Sequence, residues 1–160
     1  MPPRRASSHA AIAIAATALV LTPIASATIV PQRSMAGISL GMSRMQVTRL
    51  AGKPLRAEHR SNEFGSLTRL VYAGSITVDF QGNRTVTAIS TTGRRERTAR
   101  GLGVGSTRAE VQRLVPGIRC ETTAGLAHCY VGRFEPGRRV TDFRLSYGVV
   151  TRVTVGFVID

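Results

Sequence analysis

The amino-acid sequence predicts an α+β protein of two tandem repeats, each a short helical segment packed on an antiparallel β-sheet, with the two sheets forming one continuous sheet. The first observation behind this is self-similarity. Residues 37–50 recur in constant register 64 residues later as 101–114, and six of the fourteen positions are identical: Gly37/Gly101, Gly41/Gly105, Arg44/Arg108, Val47/Val111, Arg49/Arg113 and Leu50/Leu114. A fixed period of this kind marks a repeated supersecondary unit. The second observation is capping chemistry. Ser43-x-x-Gln46 and Thr107-x-x-Glu110 hold the same place in both copies, and such boxes satisfy two orphan amides at a helix start. The third is a change of period. Behind each capped segment the apolar residues begin to alternate, the change from a helix to a half-buried strand.

Taken in order, residues 1–27 open with Arg4 and Arg5, run apolar through residues 10–21 and end in Ala25-Ser26-Ala27. This is the layout of a secretory signal, with cleavage expected after Ala27. The apolar run falls short of the roughly 20 residues that a membrane-spanning helix needs. No cysteine stands near the cleavage site, so lipid attachment is not expected. Residues 28–36 are an N-terminal extension.

Repeat 1 (37–92) places Val47, Leu50 and Ala51 on one helical stripe and stops the helix at Gly52-Lys53-Pro54. Strands follow at 67–72, 75–80 and 86–92, with turns at Ala73-Gly74 and Gln81-Gly82-Asn83, while residues 56–63 read as a polar loop. Residues 93–100 have no apolar period and read as a solvated, Arg-rich connector or a strand edge. Repeat 2 (101–160) has its stripe at Val111, Leu114 and Val115 and its stop at Pro116-Gly117. One hairpin is expected from 118–121 and 127–131, and another from 140–146 and 149–158, turning at Tyr147-Gly148.

The two cysteines, Cys120 and Cys129, both follow the signal. An even pair in an oxidising compartment predicts a disulfide that staples the first hairpin of repeat 2. His128 beside Cys129 would point to the opposite face of a strand, and no second Cys/His cluster exists, so neither a metal nor a cofactor is expected. Cleavage would remove two arginines and no acid, leaving 20 basic against 9 acidic residues, a net charge of +11. Such a charge favours polyanions through encounter rate. Yet only Lys53 among the basic residues is lysine, a skew that codon composition produces as readily as selection does.

For catalysis, Glu58-His59-Arg60 has the residue types of a small nuclease, with a carboxylate, an imidazole and a guanidinium for charge stabilisation. Neighbours in sequence do not by themselves converge on one reacting atom. An enzyme would require His59 or His128 to meet a carboxylate in a cleft, and no activity is expected. The glycines of 101–106 lack the Gly-Lys-Ser/Thr ending of a phosphate loop and are explained by the repeat. Arg94, Arg95, Arg97 and Arg100 in the connector, with Arg133, Arg138 and Arg139 in the loop before Val140, are the candidate polyanion-binding residues, since guanidinium groups grip phosphates and carboxylates bidentately. Solvation alone would also account for such loops.

The pattern G-[IL]-x-[LV]-G-x-[ST]-R-x-x-V-x-R-L, followed by a Gly/Pro stop and antiparallel strands, resembles the repeat shared by the secreted β-lactamase inhibitory proteins and the small outer-membrane assembly lipoproteins of the SmpA/BamE type. The resemblance implies a helical segment packed on an antiparallel sheet, and in the tandem inhibitory proteins two such units joined into one longer concave sheet. The lipoprotein branch has an acylated cysteine that this chain lacks. The inhibitory branch implies a protein partner held on the sheet face. The expectation is therefore a secreted, monomeric, non-enzymatic binding protein whose partner is an extracellular protein or, in the alternative, an anionic envelope polymer, with no membrane insertion after signal cleavage.

Overall fold

Both capping boxes form. A computed structural model describes residues 28–82 and 84–159, and the signal segment expected at 1–27 lies outside them. Helix α1 (Arg44–Ala51) starts at Ser43, whose hydroxyl accepts from the Gln46 amide at 3.3 Å while its own amide donates to Gln46 Oε1 at 2.8 Å. Helix α2 (Arg108–Leu114) starts at Thr107 with the same pair of bonds to Glu110, at 3.2 and 2.7 Å. Just before each cap a glycine ties the chain to the sheet: the Gly41 amide donates to Val86 O and the Gly105 amide to Val150 O. These partners differ by the same 64 residues as the caps. Gly41 and Gly105 lie at φ +85° and +93°, a region that side chains with a Cβ rarely enter.

The fold is α+β, as the sequence predicts. Three two-residue strands, β1 (Ile29–Val30), β2 (Ser34–Met35) and β3 (Ile38–Ser39), form a small antiparallel sheet. The main sheet holds β4 (Arg56–Asn62), β5 (Gly65–Tyr72), β6 (Ile76–Gln81), β7 (Ala88–Thr91), β8 (Arg119–Thr123), β9 (Leu126–Gly132), β10 (Arg139–Ser146) and β11 (Val149–Phe157). Its order is β4-β5-β6-β7-β11-β10-β9-β8, antiparallel throughout. Each half runs helix first and four strands second, and the halves join where Ser90 of β7 faces Thr154 of β11.

Register settles which residues are core. Tyr72, Ile76, Thr91, Val153, Phe143, Cys129 and Cys120 face one another in turn across seven strands. All but half-buried Cys120 are buried. They pack with Val47 of α1, Val111 of α2 and Ile29, Met35 and Ile38 of the small sheet. The next row of side chains points the other way, because successive strand residues alternate between faces.

The structure departs from the sequence reading at four places. Residues 56–63, read as a loop, contain the edge strand β4, fully paired with β5. The 28–36 extension is not featureless: it supplies β1 and β2, and the Gln32 amide donates to Thr141 Oγ1 at 2.6 Å. Of the α1 stripe only Val47 is buried, while Leu50 is 55 % exposed, since a two-turn helix lying on a sheet turns about one residue per turn inward. The connector is not simply solvated, because Glu96 and Thr98 are buried and the Arg97 carbonyl accepts from the amides of Thr28 and Ile29.

Candidate binding face and arginine cleft

The face of the main sheet turned away from the helices is polar across its whole width. One row reads Arg56, Val71, Thr77, Ser90, Thr154, Asp142, Tyr130 and Arg119, one residue from each strand in sheet order. In the β4–β7 half its charges are matched. Glu58 holds Arg56 at 2.7 Å and Arg60 at 2.9 Å. Arg69 donates from Nε and Nη2 to the two oxygens of Asp79, both at 2.7 Å, the fork geometry that makes an arginine–carboxylate pair specific. That hydrogen bonding to Asp79 raises the Arg69 pKa above its ordinary value, against the opposing effect of burial.

The β8–β11 half is matched differently. His128 Nδ1 lies 2.6 Å from Asp142 Oδ1, within hydrogen-bond distance, and Nε2 lies 3.6 Å from Glu121. The ring stacks on Tyr130 with centroids 5.5 Å apart, and Phe134 meets both rings edge-on. Burial raises the Asp142 pKa, opposed by the hydrogen bond from His128 and the charge of Arg144. Beside this cluster Arg144 and Arg152 stand directly opposite each other. They meet because of a register shift between Arg144 and Leu145; the tight turn alone, with Ser146 opposite Val149 and Leu145 opposite Val150, would set Thr151 against Arg144. Like charges in directly opposed positions oppose pairing, and among the described residues Arg152 makes no ion pair.

Two depressions adjoin the pair. One, of about 590 Å³, is lined by both arginines, Leu126 and Tyr147, and the other, of about 400 Å³, by both arginines, His128, Asp142 and Thr154. Tyr147 and Gly148 form the turn with φ of +49° and +76°, the two positive values of a type I′ hairpin. The Tyr147 side chain is wholly exposed and Leu126 is 49 % exposed.

The seven arginines singled out in the sequence separate into two groups. Arg133, Arg138 and Arg139 line one cleft of about 770 Å³, together with Arg119, Gln32 and Gly132. Arg94, Arg95, Arg97 and Arg100 do not line it. Arg100 Nη1 donates to the carbonyl of Leu114 at 2.8 Å, where a cation suits the end of α2. Arg97 reaches the Gly101 carbonyl at 3.5 Å, Arg94 lies against Gly105, and Arg95 borders a cavity of about 290 Å³ with Lys53 and Glu96. Arg119 was missed because it joins the cleft only through the pairing of β8 with β9.

The candidate set Glu58-His59-Arg60 does not converge. Glu58 and Arg60 share the polar face, while strand alternation turns His59 to the other side, where Nδ1 lies 3.0 Å from Thr68 Oγ1. His128 does meet carboxylates, with Asp142 2.6 Å from Nδ1 and Glu121 3.6 Å from Nε2, and His128 and Asp142 both line the depression of about 400 Å³. Residues 101–106 are architectural: Leu102, Gly103 and Val104 are buried, and the Gly103 amide donates to Ser106 Oγ. Cys120 and Cys129 form the expected disulfide between paired positions of β8 and β9. Among the described residues no group of His, Cys, Asp and Glu could hold a metal ion, and no helix is long and apolar enough to cross a membrane.

No protein-family model matches the chain, and no curated protein matches it in sequence. Among solved structures it is similar to a DUF4309 family protein, YjgB, from Bacillus subtilis, with a TM-score of 0.52 and 17 % identity over 79 % of this chain and 88 % of that one. It is also similar to an extracellular protein containing an SCP domain from Bacillus anthracis, with a TM-score of 0.53 and 12 % identity over 90 % of this chain but only 50 % of that one. A third structure, provisionally described as a β-lactamase inhibitor protein from Streptococcus mutans, aligns over 81 % of this chain and 89 % of that one at 16 % identity, and its TM-score of 0.31 is too low to carry an argument. At these identities the first two likenesses establish a shared fold and nothing finer.

Proposed function

We propose that the protein is a secreted, non-enzymatic binding module that docks an acidic protein partner on the β8–β11 half of its open sheet face. The observation that carries this reading is the opposed pair Arg144 and Arg152, which costs the sheet repulsion and in which neither arginine forms an ion pair within 4.0 Å among the described residues. Wholly exposed Tyr147 and half-exposed Leu126 border the same depression. Arginine and tyrosine around a pocket are the residue types that dominate binding energy at protein interfaces. Carboxylates of a partner would neutralise both guanidinium groups while Tyr147 supplies the apolar contact. The secretory layout of residues 1–27 and the disulfide favour an extracellular site of action. The constant 64-residue offset between the caps, their sheet partners and the facing residues Ser90 and Thr154 favours an origin by duplication, after which the two halves of the face diverged in charge.

The test is capture from culture supernatant and envelope extract by the tagged chain 28–160, washed at low and at high salt. A defined protein that survives the high-salt wash, and is lost with Arg144→Thr/Arg152→Thr, supports the reading. Diffuse capture that vanishes with salt sinks it and favours the alternative, an anionic envelope polymer.

A further inference from the structure

At one end of β8, β9 and β10 the cleft of about 770 Å³ gathers Arg119, Arg133, Arg138 and Arg139. Among the described residues one carboxylate, Glu135, forms an ion pair here, at 3.7 Å from Arg138 Nε. Arg139 lies over the Phe157 ring at 5.5 Å from its centroid, and Arg119 and Arg133 make no ion pair among the described residues. Four cations so poorly matched repel one another, and a polyvalent anion relieves that repulsion.

The backbone under these side chains is held firmly. Gln32, at φ +59°, donates from Nε2 to the Arg139 carbonyl at 2.9 Å and from its amide to Thr141 Oγ1. The Gly137 amide donates to the Val158 carbonyl, and the Val158 amide returns a bond to the Arg138 carbonyl. Gly132 lies at φ +110°, and a Cβ there would come within 2.4 Å of the Arg139 carbonyl oxygen, so the base of the cleft closes only around glycine. A backbone anchored in this way does not have to be ordered when the side chains close on a ligand.

We propose that this cleft, which meets the open sheet face at Arg119 and does not include Arg144 or Arg152, binds a linear phosphate polyanion. The planar guanidinium fork matches phosphate oxygens bidentately, and the cleft has room for several phosphates in succession. No aromatic side chain lines it, so it offers no platform on which nucleic-acid bases would stack. A phosphate chain without bases is the ligand that fits.

Short-chain inorganic polyphosphate is the probe, with binding to the chain 28–160 measured by titration calorimetry at two salt concentrations. The variant Arg119→Gln/Arg133→Gln/Arg138→Gln is compared with the charge-matched Arg84→Gln/Arg94→Gln/Arg95→Gln, which removes exposed Arg84 and two connector arginines, none of which lines the cleft, and thermal unfolding verifies that both are folded. Three lost charge-assisted contacts should raise Kd by about tenfold or more in the cleft variant, against about twofold or less in the control. Equal losses in the two variants would mean that bulk charge does the binding, and the proposal fails. It fails equally if polyphosphate does not bind, or if polyglutamate or single-stranded DNA of the same charge binds more tightly than polyphosphate.

Discussion

The two halves of the open sheet face are built on the same plan and carry charge in opposite ways. In the β4–β7 half Glu58 pairs with two arginines and Asp79 takes Arg69 in a bidentate pair. In the β8–β11 half the carboxylates Asp142 and Glu121 are both turned to His128, and Arg144 and Arg152 face each other. The first arrangement serves the fold, because every close contact made there is attractive. The second opposes the fold locally, and under the proposed docking reading a partner's carboxylates would offset it.

The comparison can be broken in several ways. The largest effect is expected at the disulfide, which staples the β8–β9 edge. Closing a loop of nine-residue separation should be worth about 2.5 to 3 kcal/mol in the chain-entropy model, so Cys120→Ala/Cys129→Ala should lower the free energy of guanidinium-induced unfolding by that amount. A loss well under half of it would mean that the edge is held by packing alone.

Next comes Arg69→Met, which leaves Asp79 unpaired. Because Arg69 is about one-third exposed, the loss should be about 1 kcal/mol, at the upper end for a solvent-screened pair. The opposite sign is expected on the other half: Arg152→Thr should leave stability unchanged or raise it by up to about 0.5 kcal/mol. Parallel melts of the two variants check both, and destabilisation by Arg152→Thr would show that this arginine serves the fold.

The smallest effect concerns pH. The Asp142 pKa is raised in the folded state, chiefly by burial, so the folded protein binds the carboxyl proton more tightly than the unfolded chain does. The resulting stabilisation is full below the ordinary aspartate pKa of about 3.9 and is lost as pH rises through the folded value. Relative to Asp142→Asn, the wild type should therefore gain stability as pH falls toward 3.5. Glu110 has the opposite sign. Its pKa is lowered by the Thr107 amide and hydroxyl, so its contribution is present at neutral pH and fades as pH falls. Melts of Asp142→Asn and Glu110→Gln across this range should diverge in opposite directions from wild type.

The elements with a local cause were legible in the sequence. Capping boxes, the Tyr147-Gly148 turn and the alternation of Ile76, Val78 and Phe80 each act within a few residues. Strand β4 was not legible, because as an exposed edge it shows polar residues on both faces and no alternation. Neither were β1 and β2, since two-residue strands carry no period. At the candidate site the sequence pointed to Arg133, Arg138 and Arg139 by their clustering, but Arg119 enters through long-range pairing. The opposition of Arg144 and Arg152 depends on one register shift inside a hairpin, and no composition or motif announces that shift. Nor was it legible that Arg100 reaches the Leu114 carbonyl, a contact that depends on how the chain folds back onto α2.

The most direct test of the account compares two charge-matched double variants against the protein that the wild-type chain captures. Arg144→Thr/Arg152→Thr removes the opposed pair, and Arg56→Thr/Arg60→Thr removes the matched arginines of the other half. The account predicts that affinity falls by about tenfold or more in the first and by about twofold or less in the second, as hot-spot and rim arginines differ. An equal loss in both, or a larger loss in the second, would contradict the division of the face into a half that serves the fold and a half that binds.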